Sequence, residues 1–176
     1  NVIAEMSIPG VSVADLEFGA YTGVQILNRA LIERIPEGDC DILRSAYRDI
    51  LADQGPIYGH FVPKHSIWFD VGTPDRYLAA HRLVLDRSLR TDHLPDVDAQ
   101  GCAIHPNAEI SEGALIHGPG VIMEGAQIHD QAVIGPYTYI GSNTRVVRGC
   151  RINNSVVWSG VLVDRDAAHE VILPRR

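Results

Sequence analysis

GCAIHPNAEISEGALIHGPGVIMEGAQIHDQAVIGPYTYIGSNTRVVRGCRINNSVVWSG, residues 101–160, repeats its own pattern every six residues. Isoleucine or valine stands at Ile104, Ile110, Ile116, Ile122, Ile128, Ile134, Ile140, Val146 and Ile152 without a miss. Four residues after each comes a small or compact side chain: Ala108, Ala114, Gly120, Ala126, Ala132, Thr138, Thr144, Cys150 and Val156. A helix repeats near 3.6 residues and an ordinary strand at 2, so neither yields a strict six. A short fixed period belongs to a solenoid, and a hexapeptide period to a parallel β-helix. The large aliphatic is predicted to point inward and to stack on its counterpart one turn of eighteen residues later, as Ile104 on Ile122 and Ile140. The small residue is predicted at the tight corner. Trp158 continues the count once more before the register is lost. The final stretch, 161–176, is expected to form an irregular turn that caps the open end of the coil.

Composition limits what the chain can be. Its 176 residues allow one domain or two small ones, with 45% hydrophobic and 21% charged residues, as in soluble globular proteins. A net charge of −7 without a basic stripe argues against a nucleic-acid surface. Cys40, Cys102 and Cys150 are odd in number and lack metal-like spacing, which predicts reduced thiols and a cytoplasmic location. No run approaches the roughly 20 apolar residues of a membrane span, and no signal peptide opens the chain. The first residue is Asn1 rather than Met, which reads as a boundary within a longer protein.

Residues 1–88 follow a different grammar. Apolar stretches at 22–27, 57–62 and 66–71 read as strands. Between them, Asn28 is placed to cap a short helix through Ile35, stopped by Pro36 and Gly38. Asp39 is placed to cap a longer one through Gln54, with Ile42, Ala46, Ile50 and Leu51 on one face and Gly55 as its stop. A third helix has Thr73 as cap, Pro74 at its first position and Asp75 in its first turn, ending near Arg87. Strands alternating with helices predict an α/β unit. The polar segment 89–100, with its proline, reads as a linker to the coil at 101–176.

The most informative short motif is WFDVGTPDRYLAAH, residues 68–81. Asp70 ends an apolar stretch and is followed by Gly72 and a helix start. A carboxylate there can hold a divalent cation against a phosphate. The plainer alternative is that Asp70 only satisfies turn and cap amides.

YTGVQIL (21–27), YRDILADQG (47–55), IYGHFV (57–62) and WFDVGTPDRYLAAH, in this order ahead of a hexapeptide coil, resemble the carboxyl-terminal half of sugar-phosphate nucleotidyltransferases. The likeness extends to mannose-1-phosphate guanylyltransferases in particular. It implies a partial α/β nucleotidyltransferase domain followed by a left-handed parallel β-helix. The implied reaction joins a nucleoside triphosphate to a hexose 1-phosphate, releasing pyrophosphate and an NDP-sugar, with GDP-mannose favoured. The resemblance makes Asp70 the second metal-binding aspartate, holding Mg²⁺ between sugar phosphate and nucleotide. Tyr21, Thr22 and Gly23 correspond to the sugar-pocket segment, where Gly23 permits close backbone approach and Thr22 can bond a hydroxyl. Gly72 and Thr73 correspond to the turn and cap that position Asp70, and Trp68 reads as core.

The family's glycine-rich G-x-G-x-R-x-x-P-L-T loop, its first metal aspartate and its E-K-P motif have no counterpart here; Glu5-Met6-Ser7 matches the last only poorly. That loop supplies the amide nest for a triphosphate. The chain alone is therefore expected not to bind nucleotide, and Asp70 alone to hold Mg²⁺ weakly.

His105, His117 and His129 suggest a rival class, the hexapeptide acyltransferases, which use a histidine as general base with an acyl-CoA donor. A spacing of twelve on an eighteen-residue turn puts the three on different faces, so solvated surface imidazoles are expected. No loop is inserted between hexads to build an acceptor site. A third class is structural: regular coil faces suit self-association, which predicts a homo-oligomer formed through the β-helix.

Overall fold

A computed structural model describes residues 21–63, 66–88 and 96–175. Backbone contacts divide the chain into two compact units that meet in sequence between Trp68 and Phe69.

In the first unit, α1 (Arg29–Ile32) starts as expected: Asn28 Oδ1 accepts the Leu31 amide at 2.9 Å. α2 (Ala46–Ala52) begins later than its predicted start at Asp39. The side chain of Asp41 accepts the Leu43 amide at 2.9 Å, and its carbonyl accepts the Ser45 amide at 3.0 Å. This local turn holds residues 41–45 out of the helix. At the other end Gln54, with φ 55°, takes the left-handed position, and the Gly55 amide closes back on the Ile50 carbonyl at 2.8 Å. The stretches at 22–27, 57–62 and 66–71 are not strands among the described residues. A strand needs a neighbouring ladder to satisfy its backbone, and these have none there. Val24, Ile26, Tyr58 and Phe61 accordingly stay exposed. The predicted α/β sheet is thus not shown.

The second unit is a β-solenoid of thirteen short parallel strands between Cys102 and Ile172. The first sheet holds β1 (Cys102–Ile104), β4 (Gly120–Ile122), β7 (Thr138–Ile140), β10 (Val156–Val157) and β13 (Val171–Ile172). The second holds β2 (Glu109–Ile110), β5 (Gln127–Ile128), β8 (Arg145–Val146) and β11 (Leu162–Val163). The third holds β3 (Leu115–Ile116), β6 (Val133–Ile134), β9 (Arg151–Asn153) and β12 (Ala167–Ala168). Ile104 pairs with Ile122 and Ile122 with Ile140, as the eighteen-residue turn requires. Ile122, Ile128, Ile134, Ile140, Val146 and Ile152 are fully buried in one core. Each such side chain contributes about 1.5–3 kcal/mol through burial.

The register changes after Ile152. Val157, not Trp158, pairs with Ile140, and Ser155, not Val156, takes the buried corner place of Thr138, Thr144 and Cys150. The corner residues record the same deletion. Positive φ recurs at Gly125, Gln131, Tyr137, Asn143 and Gly149, then arrives one residue early at Asn154. Trp158 is left outside, 48% exposed. Residues 161–173 do not form a separate cap. β11, β12 and β13 extend all three sheets, with Val163 and Ala167 buried in the core. The last turn is shorter: Ala167 pairs with Ile152 and Ile172 with Val157.

α3 (Pro74–Leu85) starts as predicted, Thr73 Oγ1 accepting the Arg76 amide at 3.4 Å, and ends at Leu85. It covers the outer side of the first sheet. The His81 ring lies 4.7 Å from that of Tyr77 and 5.7 Å from that of Tyr139, and the Arg82 guanidinium sits 4.3 Å over the Tyr137 ring. His169 approaches Asp75 at 3.6 Å. Ala103, Val121 and Val156, which face outward on this sheet, are buried with Leu78. Residues 89–95 of the predicted linker lie outside the described residues. Asp98 organises the entry to β1: its carboxylate accepts the Gln100 and Cys102 amides at 2.8 and 2.9 Å.

Candidate functional site

Asp70 sits just ahead of α3 and is half exposed. Its Oδ1 accepts the Gly72 amide at 3.1 Å, and its Oδ2 is ion-paired with Arg76 in the first turn of the helix. A Cβ on Gly72 would stand 3.1 Å from Asp70 Oδ1, so the glycine lets the carboxylate fold back over the turn. Thr73 then caps α3, and together these residues fix the carboxylate's direction. On their own these residues do not complete a Mg²⁺ site. One oxygen serves an amide and the other a guanidinium, and no group of three His, Cys, Asp or Glu converges among the described residues. Mg²⁺ needs more oxygen ligands than this carboxylate offers.

Tyr21, Thr22 and Gly23 lie together in the first unit. Thr22 Oγ1 accepts the Val24 amide at 3.3 Å, and Gly23 adopts φ 82° with no atom near its missing Cβ. Trp68 does not sit in a core. It is 46% exposed, and its indole N–H donates to the Thr22 carbonyl at 3.3 Å. That bond ties the YTG turn to the start of the WFD motif, a link the sequence did not signal. Burial, with Tyr47 and Asp41 nearby, raises the Tyr21 hydroxyl above its ordinary range; this buried hydroxyl has no hydrogen-bond partner among the described residues.

The three histidines follow β1, β3 and β5, one on each sheet, and so do not converge. His105 Nδ1 accepts the Asn107 amide at 3.1 Å. All three cysteines are free; burial pushes the Cys102 and Cys150 thiols up, away from reactivity. Two shallow grooves flank the coil. One, on the second sheet, is lined by Glu109, Gln127, His129 and Arg145; the other lies at the corner between the third sheet and the first.

The three parallel sheets are wound in short steps with no loop inserted between them. Residues 116–172 match the GMPPB C-terminal domain. That domain is the left-handed β-helix part of GMPPB-like nucleotidyltransferases. The match runs from Ile116 in β3 to Ile172 in β13 and so spans the short turn after Ile152. It covers none of Tyr21, Thr22, Gly23, Asp70, Gly72 or Thr73. No curated protein matches the chain. No helix among the described residues is long and apolar enough to cross a membrane.

Proposed function

We propose that this chain is the carboxyl-terminal portion of a cytoplasmic sugar-1-phosphate nucleotidyltransferase, with GDP-mannose formation the favoured reaction. The observation that carries this reading is the match of the coil to the GMPPB C-terminal domain. The WFDVGTP element ahead of α3 supports it. In this reading residues 1–88 are the end of the catalytic α/β domain, and the exposed apolar stretches at 22–27 and 57–62 pair with strands supplied from outside the described residues. Tyr21, Thr22 and Gly23 then line the sugar pocket. Asp70 contributes one Mg²⁺ ligand only in company with further carboxylates or substrate phosphates. The coil serves as an assembly platform for a homo-oligomer, through the second and third sheets, whose outer sides carry exposed Leu162 and Leu115.

The test supplies the missing amino-terminal half and follows pyrophosphate release from mannose 1-phosphate and GTP with Mg²⁺. Turnover that falls with Asp70→Asn supports the reading. CoA release from an acyl-CoA donor, with no pyrophosphate, would replace it with the acyltransferase alternative.

A further inference from the structure

The corner groove between the third sheet and the first is shallow and open, with a volume of about 520 Å³. Its charged and ionisable lining consists of Arg82 from α3, His117 after β3, Arg151 on β9 and Tyr137; no carboxylate lines it. This is a cationic groove on a chain whose net charge is −7. Neither the Arg82 nor the Arg151 guanidinium has a carboxylate partner among the described residues. Most of the other described arginines do, as in the pairs Arg76–Asp70, Arg148–Asp130 and Arg165–Glu170. Asp86 lies close enough to Tyr137 to raise its hydroxyl pKa, and Asp166 accepts the Arg151 backbone amide at 2.8 Å, so these two acids border the groove without pairing with either guanidinium.

Two further features suit a ligand with a polar body. Asn154 lines the groove; its amide nitrogen is bonded to His169, and its buried Oδ1 has no hydrogen-bond partner among the described residues. Asn153 lies beside it, while Val133 and Pro136 add an apolar floor. The groove on the second sheet lacks this character. There Gln127 links Glu109 to Arg145 through bonds of 3.0 and 3.1 Å, so its charges answer each other.

We propose that the corner groove binds a small phosphomonoester, with Arg82 and Arg151 holding the phosphate and the exposed Asn153 amide meeting hydroxyl groups of its body. Guanidinium forks match phosphate oxygens in bidentate geometry, which sets an anionic ester above a neutral ligand. The site rests on the coil and α3 alone and does not depend on the nucleotidyltransferase reading.

Isothermal titration of the 176-residue chain with glucose 6-phosphate, with glucose as control, tests it. The expected result is saturable binding of the phosphate ester, with a dissociation constant on the order of 1 mM or tighter, and none of glucose. Arg151→Gln, at an exposed site that folding does not need, should weaken binding about tenfold or more. Arg82→Gln should do the same, its fold checked by thermal melting because the Tyr137 stack is lost. Arg145→Gln, on the other groove, should leave affinity unchanged. Absence of saturable binding overturns the proposal. Equal loss on Arg145→Gln, or binding that survives Arg151→Gln, does so as well, because attraction would then be diffuse.

Discussion

Val157 pairs with Ile140 across adjacent strands, seventeen residues apart, and both side chains are fully buried. Trp158, the residue that keeps the six-residue count, lies outside. Val157→Ala should therefore cost about 2 kcal/mol through lost burial and a cavity. Trp158→Ala should cost less than about 1 kcal/mol. Urea denaturation midpoints of the two variants check this; a larger loss for Trp158 would reinstate the unbroken count.

Ser155 holds the shortened turn together. Its hydroxyl donates to the Asn153 carbonyl at 2.7 Å and accepts the Glu170 amide at 3.2 Å. Ser155→Ala leaves both groups without their partner and should lower stability by about 1–2 kcal/mol. Hydrogen exchange should show the Glu170 amide losing protection first, ahead of amides in β4 to β8.

His81 makes the docking of α3 sensitive to acid. Burial holds its pKa below the ordinary 6.5, so the folded state favours the neutral ring. The unfolded chain then binds more protons as the pH falls through that value, and stability falls with it. The benefit is fully present above about pH 6.5 and is lost on acidification toward the lower folded-state pKa. Tyr77 and Tyr139 face the ring, and burial raises the Tyr139 hydroxyl above its ordinary range. Melting curves between about pH 8 and pH 5 should show a decline that His81→Leu reduces.

Asp70 stands in an exposed ion pair, so Asp70→Asn should change the stability of this chain by less than about 1 kcal/mol. Thermal melting of the variant checks it. A large drop would make Asp70 a folding residue and would confound any loss of turnover in the complete enzyme.

Much of the coil was legible because its period is local chemistry. Each inward aliphatic needs a small residue at the following corner, and both recur in the sequence. The helix starts at Asn28 and Thr73 were legible for the same reason, since a cap is satisfied within three residues. The site was less so. The bond from the Gly72 amide to Asp70 follows the plainer turn reading of the sequence, but the Asp70–Arg76 ion pair shows only when folded, and the Trp68–Thr22 bond spans residues too distant for any spacing rule. The Arg82–Arg151 groove was not legible at all, because no motif relates a helix before the coil to its third sheet.

By itself the sequence determined a six-residue solenoid, its inward column from Ile110 to Ile152, and the helix launched by Thr73-Pro74; Ile104, at the open end of the coil, is 40% exposed. The tertiary structure decided where the register slips, which sheet α3 covers, and whether the apolar stretches of the first unit are strands. The division has a physical cause. Corners and caps are settled by neighbours a few residues apart, whereas strand pairing and face-to-face packing depend on partners that only the folded chain supplies.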